Sequence, residues 1–264
     1  MPDVSPPSAS GESPPTMTTI DDVLIQLDFI IETARQRGSA DGYFAALYRR
    51  VTETVKTRIA EGAFQDGPRM ARFDVAFASR YVGAWRQHER GDTPTSAWAV
   101  ALSCETAFWP VVMQHLLLGM NAHINLDLGI VAAEISPGAS IQDLKGDFDA
   151  INQLLADLVG DVTDRMGTIW PGVRLLVKAG GGLDEKIVNF SLSRAREAAW
   201  EVATTLAAEP DASRRAVTIQ GVDDVATLLG RGVLHPGLWA ASTLAWVRLR
   251  ERGSVVEKLD VLLK

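Results

Sequence analysis

From residue 20 onward, apolar side chains recur every three or four positions, and that period predicts helices rather than strands. Val23, Leu24, Leu27, Ile30 and Ile31 form the first stripe, with Asp21 and Asp22 as capping candidates and Gly38 as a stop. Phe44, Leu47, Val51, Val55 and Ile59 form the second, opened by Asp41 and closed near Gly62. In residues 68–89, Phe73, Phe77, Tyr81 and Trp85 recur at every fourth position of a third helix. Gly91, Asp92, Thr93 and Pro94 read as a turn, and Thr95 or Ser96 can cap the next helix.

Residues 96–134 depart from this amphipathic pattern. Their ionisable side chains are Cys104, Glu105, His115, His123, Asp127 and Glu134 alone, so the segment is apolar nearly all round and belongs at the centre of a domain. Pro110 lacks an N–H and should kink this helix or divide it in two, and Ser136, Pro137 and Gly138 end it. A further helix is expected over residues 141–166, then a turn at Trp170, Pro171 and Gly172. A glycine loop at 179–182 leads to an amphipathic helix over 183–208, and Pro236 suits the first turn of a last one reaching about Arg252. No alternating strand pattern and no repeat is visible. The expectation is a single all-α domain over residues 19–264, a bundle of about seven or eight helices around a central apolar one.

The first 18 residues are rich in Pro and Ser and lack large apolar anchors, so they are expected to be a disordered tail, with Met17 as a second candidate start. They have neither the basic nor the apolar region of a secretory signal, which points to a cytoplasmic location. The apolar stretch at 107–119 is interrupted by Pro110, Gln114 and His115 and falls short of the ~20 residues of a membrane span. A formal charge of -7 argues against a nucleic-acid surface, which needs clustered Lys and Arg. Cys104 is the single cysteine, so there is no internal disulfide and no Cys-rich zinc module.

The candidate chemistry lies between His115 and Asp127. At about 100° per residue, positions 115, 119, 123 and 127 share a stripe, and His123 and Asp127 are one turn apart on the same face. That spacing suits convergence on one divalent ion, zinc or similar, with Asp74 as the first choice for a third ligand. Asp147 and Asp149 are alternatives, and ion pairing with Arg72 or Arg80 is the plainer reading of Asp74. His115 is ~12 Å along the helix from His123, too far to share the ion, and is left with Glu105 and Asn125 as a candidate for catalysis or proton handling. The plainer reading of His123 is a core histidine held by Asp127. Against it stands the crowding of His115, His123, Asn125 and Asp127 on one greasy helix, since each needs a partner once desolvated. Arg194 and Arg196 can meet a carboxylate substrate or core acids, and Trp200, one turn after Arg196, can line a pocket or pack. His88 is expected to be exposed and His235 to lie near a helix start.

Arg72-Phe73-Asp74 with Arg80-Tyr81, the His115-to-Asp127 tract, Asp147-Phe148 with Ile151-Asn152, and Phe190-Ser191 with Ala195-Arg196 and Trp200 resemble a bacterial and fungal family known only as a domain of unknown function. Its most specific element is Gly119-Met120-Asn121-Ala122-His123-Ile124-Asn125, and the likeness spans about residues 20–250. More distantly, His123 and Asp127 resemble the His-x-x-x-Asp ligand pairs of the all-helical zinc-dependent phospholipase C and single-strand nuclease superfamily. Gly119 stands where that superfamily's motif has an acid, which argues against a trinuclear zinc site.

The leading expectation is therefore an enzyme acting on a small molecule, with a divalent ion on His123, Asp127 and Asp74 activating water for hydrolysis. The alternatives are a metal-free acid–base cyclase or isomerase in which Asp127 orients His123, and a non-catalytic binding protein.

Overall fold

The computed structural model describes residues 17–151, 185–236 and 238–264. Among them there is no strand, and the chain is all-α. The first three stripes become α1 (Ile20–Arg37), α2 (Gly42–Ala60) and α3 (Gly67–Glu89). The start of α1 is a capping box in which the Thr19 hydroxyl accepts from the Asp22 N–H and the Asp22 carboxylate accepts from the Thr19 N–H. Thr18 also donates to Asp22, and Met17 packs against the core. The rest of that tail lies outside the described residues, as do the Trp170 turn and the glycine loop.

The apolar segment is divided in two around Pro110, which lies in the non-helical stretch and just ahead of the second helix. A short α4 (Ser96–Leu102) ends before residues 103–111, which are not helical, and the chain resumes as α5 (Val112–Asn121). A π-helical turn (Ala122–Asp127) comes next, in which the Leu128 N–H donates to the His123 carbonyl, and α6 (Leu128–Ile135) completes the run. The run Val112–Ile135 is long and apolar enough to cross a membrane, unlike the interrupted stretch at 107–119, yet 78% of its most apolar window is buried by the protein itself. Residues 141–151 are helical, and the remainder of the helix expected there is outside the described residues.

Beyond the gap come α7 (Glu185–Ala208), α8 (Ala212–Leu234), α9 (Leu238–Arg250) and α10 (Val255–Leu263). Two of these, α8 and α10, have no counterpart in the sequence expectation, and His235 is both the C-cap of α8 and close ahead of the start of α9 at Leu238. The central run is enclosed by α2, α3, α7 and α8, while α1 and α10 back α2 from the other side. Two glycines of the central run permit close approaches by its neighbours. A Cβ on Gly119 would overlap the Phe44 ring, and one on Gly129 would lie 2.6 Å from the Ala199 carbonyl oxygen of α7.

Three helix starts are held by carboxylates from far along the chain. Asp147 accepts from the Gln65 and Asp66 N–H groups ahead of α3 and from Arg69. Asp223 of α8 accepts from the Ser96 and Ala97 N–H groups of α4, taking the capping role expected of Thr95 or Ser96. Glu251 accepts from the Val112 N–H of α5 and is neutralised by Arg248 and Lys258. Anionic oxygens on these N–H groups satisfy donors that the helices cannot and complement the positive end of each dipole.

Gly119→Ala is expected to lower the unfolding free energy by about 1–3 kcal/mol in chemical denaturation, because Phe44 is wedged among other rings and cannot retreat. Gly83→Ala, in α3 with open space where its Cβ would go, is expected to raise it by up to about 1 kcal/mol through helix propensity. Equal effects from the two would disprove the packing role of Gly119.

Candidate functional site

Asp127 is fully buried at the end of the π-helical turn, and three elements send donors to its carboxylate. Arg80 of α3 donates through Nε to Oδ1 at 2.5 Å, and Trp98 of α4 donates through Nε1 to Oδ2 at 2.8 Å. His123 lies one turn back, with Nδ1 at 3.3 Å from Oδ2. A carboxylate can only accept, so the proton of the neutral imidazole sits on Nδ1 and leaves Nε2 as a bare acceptor. Nε2 is buried and has no hydrogen-bond partner among the described residues.

The imidazole is boxed by aromatic rings. Phe77 stacks on it with centroids 3.5 Å apart and planes within 10°, and Tyr48 meets it edge-on at 4.6 Å. Phe44, Tyr81 and Trp98 close the surround. Burial in this box pushes the His123 pKa below the usual histidine value, opposed by its hydrogen bond and attraction to Asp127. The ring is therefore neutral at pH 7 and able to take a proton. Tyr48 and Thr52, one turn apart on α2, also have buried hydroxyls without partners among the described residues. The Tyr48 phenol is pushed well above its ordinary value by burial, then by the charges of Asp74 and Asp127.

Asp74 pairs with neither Arg72 nor Arg80. Arg72 is exposed and Arg80 is committed to Asp127. Its Oδ2 is buried without a partner, and burial alone raises its pKa to about 7. Asp74 is linked to the His123 box through Tyr48, whose phenol feels the charges of both Asp74 and Asp127. Trp98 and Tyr48 carry no sequence signal that separates them from ordinary core aromatics. Arg80 does carry one, a cation within the stripe of Phe77 and Tyr81, but its partner proves to be Asp127 instead of Asp74.

His115 sits apart from His123, on the other side of Phe44, Tyr81 and Trp98. It lines a cavity of about 10 Å³, room for one water, together with Asp41, Gly119 and those three rings. Burial lowers its pKa to about 4, and its Nδ1 lies 3.6 Å from the Cys104 thiol, which burial raises to about 11. A thiol so far from ionisation is no nucleophile. Asp41 Oδ1 and the Tyr81 hydroxyl are buried without partners.

Several expected site residues are placed elsewhere. Glu105 lies in the non-helical 103–111 segment, and the end of α4 at Leu102 removes the helical phase linking it to His115. It faces His88, whose Nε2 is 3.2 Å away, so His88 is half-buried rather than exposed. Asn125 points away from His123 because two residues along a helix is more than half a turn. It donates to Asn121, which donates to the Ala226 carbonyl of α8. Asp147 is the cap of α3, and Asp149 pairs with Lys145.

The metal set of His123, Asp127 and Asp74 is not assembled. Both Asp127 oxygens are occupied by Arg80, Trp98 and His123, and Arg80 already supplies the positive charge an ion would bring. Among the described residues, the three side chains whose ligand atoms converge are instead Asp41, Glu89 and Glu105, all within 4.8 Å of one another. Arg37 holds both oxygens of Glu89, Trp85 donates to Asp41 and His88 faces Glu105. One free imidazole nitrogen does not make a divalent-ion site.

No curated protein and no solved structure matches the chain. A family model described as a family of unknown function, DUF5995, matches residues 20–236, which include α1 to α8 and every side chain of the His123 site. The chain belongs to this DUF5995 family.

Proposed function

We propose that this protein is a metal-free acid–base enzyme acting on a small molecule, with His123 as the proton-transferring group and Asp127 as its orienting partner. The observation that carries this reading is the buried, unpartnered Nε2 opposite a Nδ1 held by a carboxylate. Such a pairing sets the tautomer and stabilises the imidazolium formed when Nε2 takes a proton. The π-helical turn adds support, because such turns gather at functional positions. Asp74, which burial holds near neutrality, is suited to be the matching acid. Proton removal at one atom and return at another is the chemistry of isomerisation and cyclisation. The occupation of Asp127 by Arg80 and Trp98 favours a second reading, a non-catalytic protein in which the same network fixes the helices.

Incubating the protein with a small-molecule extract and following it by mass spectrometry separates these readings. The wild type is expected to convert a compound equally with and without chelator. His123→Gln should abolish the conversion, and Asp127→Asn should slow it by a factor on the order of 10⁴ through the wrong tautomer, with both variants folded. Conversion that survives in His123→Gln, or that chelator stops, would sink the proposal.

Asp74 also predicts a pH dependence. Its folded pKa lies above the unfolded 3.8, so the folded state holds the proton between pH 3.8 and about 7 and this group's contribution to stability falls as pH rises through that window. Asp74→Asn is expected to flatten that fall and to melt above wild type at pH 8. An unchanged pH profile of melting in the variant would refute the raised pKa.

A further inference from the structure

Arg196 stands on the buried face of α7, one turn ahead of Ala199, in register with Ala203 and Leu206. This face packs on the central helix, since α7 runs against both the π-helical turn and α6, and the Ala199 carbonyl approaches Gly129. The residue is 4% exposed, and its Nε is buried without a hydrogen-bond partner among the described residues. The buried acids among the described residues are committed elsewhere. Asp127 holds Arg80, Asp147 holds Arg69, and Asp223 caps α4. Asp74 feels burial and no neighbouring cation. Burial alone lowers the Arg196 pKa, to about 10, and no carboxylate among the described residues opposes it.

A buried charge with no counter-charge among the described residues has lost its hydration and gained nothing from them in return, a condition proteins rarely retain without use. We propose that Arg196 binds the carboxylate of a small organic acid, the substrate class of the His123 site. The fork of a guanidinium matches a carboxylate in two parallel hydrogen bonds, and one buried cation balances one negative charge. A phosphate dianion would exceed that balance. This inference rests on the acid–base reading only in naming whose carboxylate is bound; the anion site itself is tested separately.

The test is thermal melting in rising sodium formate at constant ionic strength set by chloride, with inorganic phosphate as the second anion. Wild type and His123→Gln are both expected to show a saturable upward shift of a few degrees with formate and a smaller one with phosphate. Arg196→Met should lose the formate shift, and Arg196→Lys, which keeps the charge without the fork, should weaken it. A wild type indifferent to formate, an equal shift in Arg196→Met, or a larger shift with phosphate would each overturn the proposal. A formate shift retained in His123→Gln while wild type converts no compound would separate a correct anion site from a failed acid–base reading.

Discussion

The buried carboxylate of Asp127 is the constraint on which the centre of this protein depends. Removing an ionised acid from water is expensive unless several donors replace the hydration, and here they come from α3, α4 and the π-helical turn. Each donor is long or aromatic, so satisfying Asp127 also fixes the rings of Trp98 and His123 and the stem of Arg80. Phe44, Tyr48, Phe77 and Tyr81 then have a defined surface to pack against. Loss of one partner would leave the others with a buried charge that is only partly compensated.

The same device recurs at the periphery in simpler form. Asp147, Asp223 and Glu251 each tie the start of a helix to a distant segment, as the 82-residue separation of Gln65 and Asp147 illustrates. Apolar burial supplies the bulk of the stabilisation, at about 1.5–3 kcal/mol for each large side chain fully withdrawn from water. It is nearly indifferent to the angle at which two helices meet. Carboxylates on specific N–H groups are not indifferent, and they select one arrangement of α3, α4 and α5 from the many that would bury similar area.

Several of the buried polar groups without partners among the described residues lie on elements that meet at His123. His123 Nε2, Asp74 Oδ2 and the hydroxyls of Tyr48 and Thr52 belong to α2, α3 and the π-helical turn, the elements that box His123. Arg196 brings an opposite charge from α7, which packs on the same turn. Desolvation keeps His123 neutral and Asp74 near its titration point, so a base and an acid coexist in one apolar region at neutral pH.

The helical class, the stripes of α1 to α3, the break at Pro110 and the one-turn pairing of His123 with Asp127 were all set locally, by period and by the stereochemistry of proline. They are legible in the sequence because each depends on residues within a turn or two of one another. The partners of Asp127 are not, since Arg80 and Trp98 are 47 and 29 residues away and only packing brings them to it. Glu105 and Asn125 mislead for a related reason. A helix continuous through Pro110 would align Glu105 with His115, and the face of Asn125 belongs to α8, which the apolar period does not mark. The metal set meets its obstacle at the same level: spacing places two ligands side by side, but tertiary structure decides whether a third side chain or an arginine arrives to meet them. Here it is Arg80, and a guanidinium already bound to the carboxylate removes the charge that would attract an ion.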